Sequence, residues 1–197
     1  MFLDKEKKYL LGLARRSIRH YFDTGKVLKE DGGIPSEKLK EKLACFVTLT
    51  IGGQLRGCIG HILPVQELYK DVIENVVSAA FEDPRFYPLS KEEFDKIKIE
   101  ISVLTVPVLL AFSTPEELIK KLRPKIDGVI LKQGRQQATF LPQVWEELSN
   151  PKEFLGHLCL KAGLEEECWR GDLEVETYQA EAFGEQGIMN KELGITN

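Results

Sequence analysis

Ala44-Cys45-Phe46-Val47-Thr48-Leu49-Thr50-Ile51-Gly52-Gly53-Gln54-Leu55-Arg56-Gly57-Cys58-Ile59-Gly60 is the stretch whose reading decides the fold. Its first eight residues have the β-branched and aromatic content of a strand. Gly52-Gly53 tolerates positive φ at both positions, which predicts a two-residue turn. The chain should then return through Gln54 to Gly60 as the second arm of a hairpin. That arm holds two glycines, an arginine and a cysteine, where a strand made only to pack would carry larger apolar side chains.

Helical patterns flank the hairpin. Residues 4–23 place Leu10, Leu11, Leu13, Ala14, Ile18, Tyr21 and Phe22 on one stripe with charges opposite. Asp31-Gly32-Gly33-Ile34-Pro35 reads as a loop. Pro64 suits a first helical turn, and Val65, Leu68, Tyr69, Val72, Ile73, Val76 and Val77 continue an amphipathic pattern. That helix should stop near Asp83, because Pro84 disfavours helical geometry in the residue before it.

Ser90 with Glu93 forms a capping box for a short helix ending near Lys96. Ile97, Ile99, Ile101 and Val103 then alternate with polar residues as a half-buried strand. Thr114-Pro115-Glu116-Glu117 is a strong helix start. Residues 127–140 read as a second hairpin around Gly134, Pro142 opens a short helix through Leu148, and Pro151 opens another that Gly163 closes. Leu173 to Phe183 alternates like a strand.

The predicted class is therefore α+β, with a largely antiparallel sheet built from hairpins and flanked by helices. One domain over residues 1–183 and a tail over 184–197 are expected; if the domain has two lobes around a cleft, the seam falls at Pro107 to Pro115.

With 43% apolar and 29% charged residues, the composition is that of a globular protein. The formal charge of −4 disfavours general nucleic-acid binding, which needs a basic footprint. No apolar run approaches the roughly 20 residues of a membrane span, and no signal-type segment opens the chain. Cys45, Cys58, Cys159 and Cys168 form no CxxC pair, so neither zinc nor a disulfide framework is expected. The expectation is a cytoplasmic protein with reduced thiols, Cys159 in the core, and Cys168 without reactive surroundings.

Parity along a strand sends Arg56 and Cys58 to one face. A guanidinium beside a thiol favours the thiolate, the nucleophilic form, and Gly57 and Gly60 would let a ligand or another backbone segment approach. The structural alternative stands beside this one. With Gly52-Gly53 as the turn, Cys58 lies opposite Val47 and Arg56 opposite Leu49, so their face could be apolar and covered. The glycines would then serve a bulge or a tight packing contact. His61 invites a Cys–His dyad, but parity sends it to the face opposite Cys58.

Leu55-Arg56-Gly57-Cys58-Ile59-Gly60 resembles the signature hexapeptide of the AMMECR domain family. Further likeness lies in Ala44 to Leu49, Ala79 to Leu89, Ile99 to Thr105 with Pro107, Asp127-Gly128-Val129, Leu141 to Val144 and Lys161 to Leu164, in the family's order. The resemblance implies a compact fold with a cleft near the hexapeptide. It also implies shared work with a Memo-type dioxygenase-like protein and a radical-SAM protein, without naming a substrate or a cofactor.

Carried onto this chain, the motif positions are Arg56, Cys58, Asp83, Arg85, Glu100 and Ser102. Cys58 is the candidate nucleophile, and Asp83 or Glu100 is a candidate base or simply holds an arginine in place. Arg56, Gly57, Gly60, Arg85 and Ser102 are candidate substrate contacts. An enzyme or enzyme component acting on a small substrate is expected. A non-catalytic module recognising a partner protein or metabolite is the alternative.

Overall fold

The computed structural model describes residues 1–30 and 32–185. Asp31 of the expected loop, and all of the expected tail beyond Glu185, lie outside that range. The chain forms two compact units. The first comprises residues 1–104 together with the chain from Glu181, and the second comprises Thr105–Ala180.

In the first unit, α1 (Asp4–Thr24) ends on Gly25, whose φ of 66° closes the last turn. Strand β1 (Ala44–Ile51) and strand β2 (Gln54–Gly60) pair antiparallel across Gly52 and Gly53, with φ of 59° and 82°. The predicted turn is the observed one. Next come α2 (Leu68–Phe81), the short α3 (Lys91–Phe94) and β3 (Lys98–Leu104). The sheet is completed by β8 (Ala180–Gly184), and its order is β2-β1-β3-β8.

Alternation sorts this sheet into two unlike faces. Cys45, Val47 and Leu49 of β1 and Ile99, Ile101 and Val103 of β3 are buried, in one core with Leu10, Leu13 and Ile18 of α1 and Val72, Val76 and Val77 of α2. The intervening residues, Phe46, Thr48, Thr50, Lys98, Glu100 and Ser102, point the other way.

The second unit carries β4 (Val108–Leu109), α4 (Pro115–Lys121), β5 (Gly128–Gln133), β6 (Gln136–Phe140), α5 (Pro151–Lys161) and β7 (Glu174–Tyr178). Its sheet runs β4-β7-β5-β6. The core is set by Trp145, stacked on Phe154 at 3.7 Å between ring centroids, with its indole N–H given to the Asp127 carbonyl at 2.7 Å.

Several expectations need correction. The helix begins at Leu68 rather than at Pro64, leaving Val65 exposed ahead of it. Leu173 to Phe183 is two strands in different sheets, divided at Gln179, because alternation alone carries no mark of where a strand changes partner. Cys159 and Cys168 are joined by a disulfide, so two of the four thiols expected to be reduced are not free. The turn after α5 brings their Cα atoms to 5.9 Å, inside the range a disulfide spans. Among the described residues, no helix is long and apolar enough to cross a membrane.

Candidate functional site

The register of β2 departs from the expected one. Pairing runs Ile51 with Gln54 and Thr50 with Leu55, then resumes at Leu49 with Gly57, so Arg56 is an extra residue in a bulge. Cys58 is opposite Thr48, not Val47, and Arg56 is not opposite Leu49. The cause lies in α2: a Cβ built at Gly57 would sit 2.1 Å from the Ala79 carbonyl oxygen. Only glycine lets the strand lie this close to the helix, and the bulge brings that glycine onto the helix-covered face. Gly60 is confined in the same way, since a Cβ there would meet the Cys45 carbonyl and the Phe46 ring at 2.5 Å. Both glycines admit neighbouring parts of the fold.

The bulge also re-aims Arg56. Its Nε and one terminal nitrogen each donate to the Glu93 carboxylate at 2.8 Å, and the latter reaches the Tyr87 carbonyl at 3.0 Å. The guanidinium beside Glu93, aided by the Ser90 N–H, lowers that carboxyl from 4.5 to about 2. Arg85 is bound just as firmly by Asp83, through Nε at 2.9 Å and a terminal nitrogen at 2.7 Å. Asp83 is buried and also accepts the Cys58 N–H at 2.9 Å. The Arg85 guanidinium, together with these backbone donors, holds its carboxyl far below the usual range.

Phe86 has Arg56 and Arg85 within 5.8 and 5.5 Å of its ring centroid. Asp83 thus clamps the turn after α2 onto the backbone of β2, its oxygens committed to holding Arg85 and Cys58 in place. Of the two arginines, Arg85 is the one bonded to Cys58, donating to its carbonyl oxygen at 3.2 Å.

Cys58 itself is a free, half-buried thiol whose sulfur lies 3.3 Å from the Thr48 hydroxyl. Thr48 in turn is opposite Glu100 on β3. Cys58, Thr48 and Glu100 therefore form one row across three strands, on the face turned away from the helices. The outer two are two strand spacings, roughly 10 Å, apart at Cα. Glu100 is exposed by area, yet its neighbours remove enough water to raise its carboxyl above the ordinary value. Ser102 lies one row further along, opposite Phe46, and is buried. A cavity of about 110 Å³ adjoins the row, lined by Thr48, Thr50, Lys98, Glu100 and Glu185 among others.

The helix-covered face holds a cluster that the sequence reading passed over. The Asp71 carboxylate, 1% exposed, accepts the Cys45 N–H at 2.9 Å and the side chains of Asn75 at 2.9 Å and Gln66 at 3.2 Å. His61 Nδ1 lies 2.6 Å from the same carboxylate. The geometry makes Nδ1 the donor, because an ionised carboxylate only accepts. His61 is thus separated from Cys58 by the sheet, as strand parity requires. A signal was available: Asp71 and Asn75 stand among apolar residues on the inward side of a helix, where a polar group must find partners.

The buried Cys45 is a contrast to Cys58, its thiol pushed well up by burial and by the Asp71 charge. Among the described residues, no group of three or more His, Cys, Asp or Glu could hold a metal ion.

The AMMECR1 family model matches residues 11–183. The chain belongs to the AMMECR1 family. A protein of Methanopyrus kandleri is 39% identical over 191 residues, covering 92% of this chain and 89% of that one. One from Pyrococcus furiosus is 41% identical over 194 residues, covering 93% and 90%. Among solved structures, an uncharacterized protein from Pyrococcus horikoshii superposes with a TM-score of 0.87 at 38% identity, covering 94% of each chain. This AMMECR1-family member shares its architecture with that protein over nearly its whole length.

Proposed function

We propose that the chain acts on a small electrophilic substrate at the open face of its first sheet, with Cys58 as the nucleophile. The observation that carries this reading is the partly exposed Cys58 thiol, hydrogen-bonded to Thr48 and in line with Glu100. Thr48 orients the sulfur, Arg85 fixes the strand that bears it, and Glu100 is the proton donor for a substrate lying over Thr48. Asp83 supports the site by holding Arg85, and Arg56 supports it by pinning α3 to the bulge. A cytoplasmic location, beside a Memo-type dioxygenase-like protein and a radical-SAM protein, belongs to the same proposal.

The experiment is intact-mass spectrometry of the native protein treated with iodoacetamide. One addition per chain is expected, mapped to Cys58, with none in Cys58→Ser at unchanged melting temperature. A wild-type chain that takes up no label until it unfolds overturns the proposal.

A second reading, a binding module, draws on the internal pairing of both guanidinia with Glu93 and Asp83. It expects Cys58→Ala to leave capture of the dioxygenase-like partner intact.

A further inference from the structure

The cavity beside Thr48 contains two acids and one ammonium, and their states differ. Glu185 is consumed: its two oxygens take Arg15 at 2.7 and 2.8 Å, and the Ile99 N–H at 3.0 Å. Among the described residues Glu100 has no such partner, and lost hydration raises its affinity for a proton. Lys98 stands one row from Glu100, opposite Thr50, and among the described residues no hydrogen bond or ion pair engages its ammonium. A half-buried cation lining a small cavity is an anchor for an anion. Cys58 and Glu100 flank Thr48 one row away, so a molecule lying over Thr48 would meet the thiol from one side and the carboxyl from the other.

We propose that the substrate is a small oxo acid, its carboxylate held by Lys98 and Thr50 and its carbonyl lying over Thr48 between Cys58 and Glu100. The inference rests on the reading of Cys58 as a nucleophile given above. The step is an addition. The sulfur forms a bond to the carbonyl carbon, and the C–O π pair moves to oxygen. Glu100 delivers its proton to that oxygen, the thiol's proton leaves to solvent from the half-buried sulfur, and solvent returns a proton to Glu100. The product is a hemithioacetal or hemithioketal, with Glu100 restored and no oxidant or reductant required. The cavity of about 110 Å³ that would take the carboxylate end is lined by Thr48, Thr50, Lys98 and Glu100.

Glyoxylate is the probe, with glycolaldehyde as the carbonyl compound lacking a carboxylate. Each is titrated against the rate of iodoacetamide labelling at Cys58 in wild type and in Lys98→Met. Carbon-13 glyoxylate NMR follows the adduct directly, with Cys58→Ser as the blank. Glyoxylate should protect wild-type Cys58, and Lys98→Met should raise the concentration needed about tenfold, the loss of one charge-assisted contact. Glycolaldehyde protection should be the same in both proteins. If Cys58 labels readily but Lys98→Met leaves glyoxylate protection unchanged, the oxo-acid assignment is wrong and the thiol reading survives. If native Cys58 takes no label at all, the thiol reading itself has failed, and the assignment falls with it.

Discussion

The two faces of the first sheet are made from the same four strands and behave oppositely. The helix-covered face is tightly packed where it meets β2: Gly57 lies under Ala79, and the Asp71 carboxylate has four partners. The open face keeps a thiol, hydroxyls, a carboxyl and an ammonium in rows that do not fill the space between them. Successive residues of β2 fall on either side of this divide, Gly57 inward and Cys58 outward. A glycine beside a cysteine is therefore not one device but two, a close approach to the helix and a half-buried thiol behind it. The helix-covered face holds the hexapeptide in shape, and the Cys58 side chain is left half-buried on the other face.

The largest effect should come from the closed face. Gly57→Ala forces a Cβ into the Ala79 carbonyl, and backbone cannot yield as a flexible side chain can, so a loss of about 3 kcal/mol or insoluble expression is expected in urea denaturation. Near-normal stability would break the comparison. Asp71→Ala leaves the Cys45 N–H and the Asn75 amide buried without their acceptor, and should cost about 2–3 kcal/mol by the same measurement.

Between the faces lies the clamp of α3 on the bulge. The folded chain holds Glu93 near 2, below its ordinary 4.5, so the stabilisation from its pair with Arg56 is complete above that ordinary value. It is lost as pH falls from about 4.5 toward 2. Glu93→Gln should lower stability at pH 7 and flatten the acid limb of the pH–stability curve. An unchanged limb would show that the pair contributes nothing. The smallest effect belongs to the open face: Cys58→Ser keeps size, its hydroxyl can meet Thr48 or water at a half-buried position, and it should shift stability by less than about 0.5 kcal/mol.

What could be read without coordinates was local. The Gly52-Gly53 turn, the Ser90 and Thr114 caps and the stripe of α1 depend on neighbours within a turn or two. The bulge at Arg56 does not: it answers to the Ala79 carbonyl, twenty-two residues beyond Gly57, so simple counting from the turn put Cys58 opposite the wrong residue. The joining of Cys159 to Cys168 depends on how the chain turns after α5, which spacing alone does not reveal. Among the candidate site residues, Cys58, Glu100 and Ser102 do share the open face, while Gly57 faces the helix and Arg56 is drawn to Glu93. Asp71 was legible in principle, as a carboxylate on the apolar side of a helix.

The most direct test compares the two free cysteines within one molecule. Native protein is pulsed with iodoacetamide, and the labelling rates of Cys58 and Cys45 are read by peptide mass spectrometry, before and after unfolding in urea. Cys58 should label at a rate comparable to that of a small free thiol while Cys45 stays unlabelled, and the difference should vanish on unfolding. Equal protection of both sulfurs in the native state would mean that the face turned away from the helices is closed, and would contradict the account.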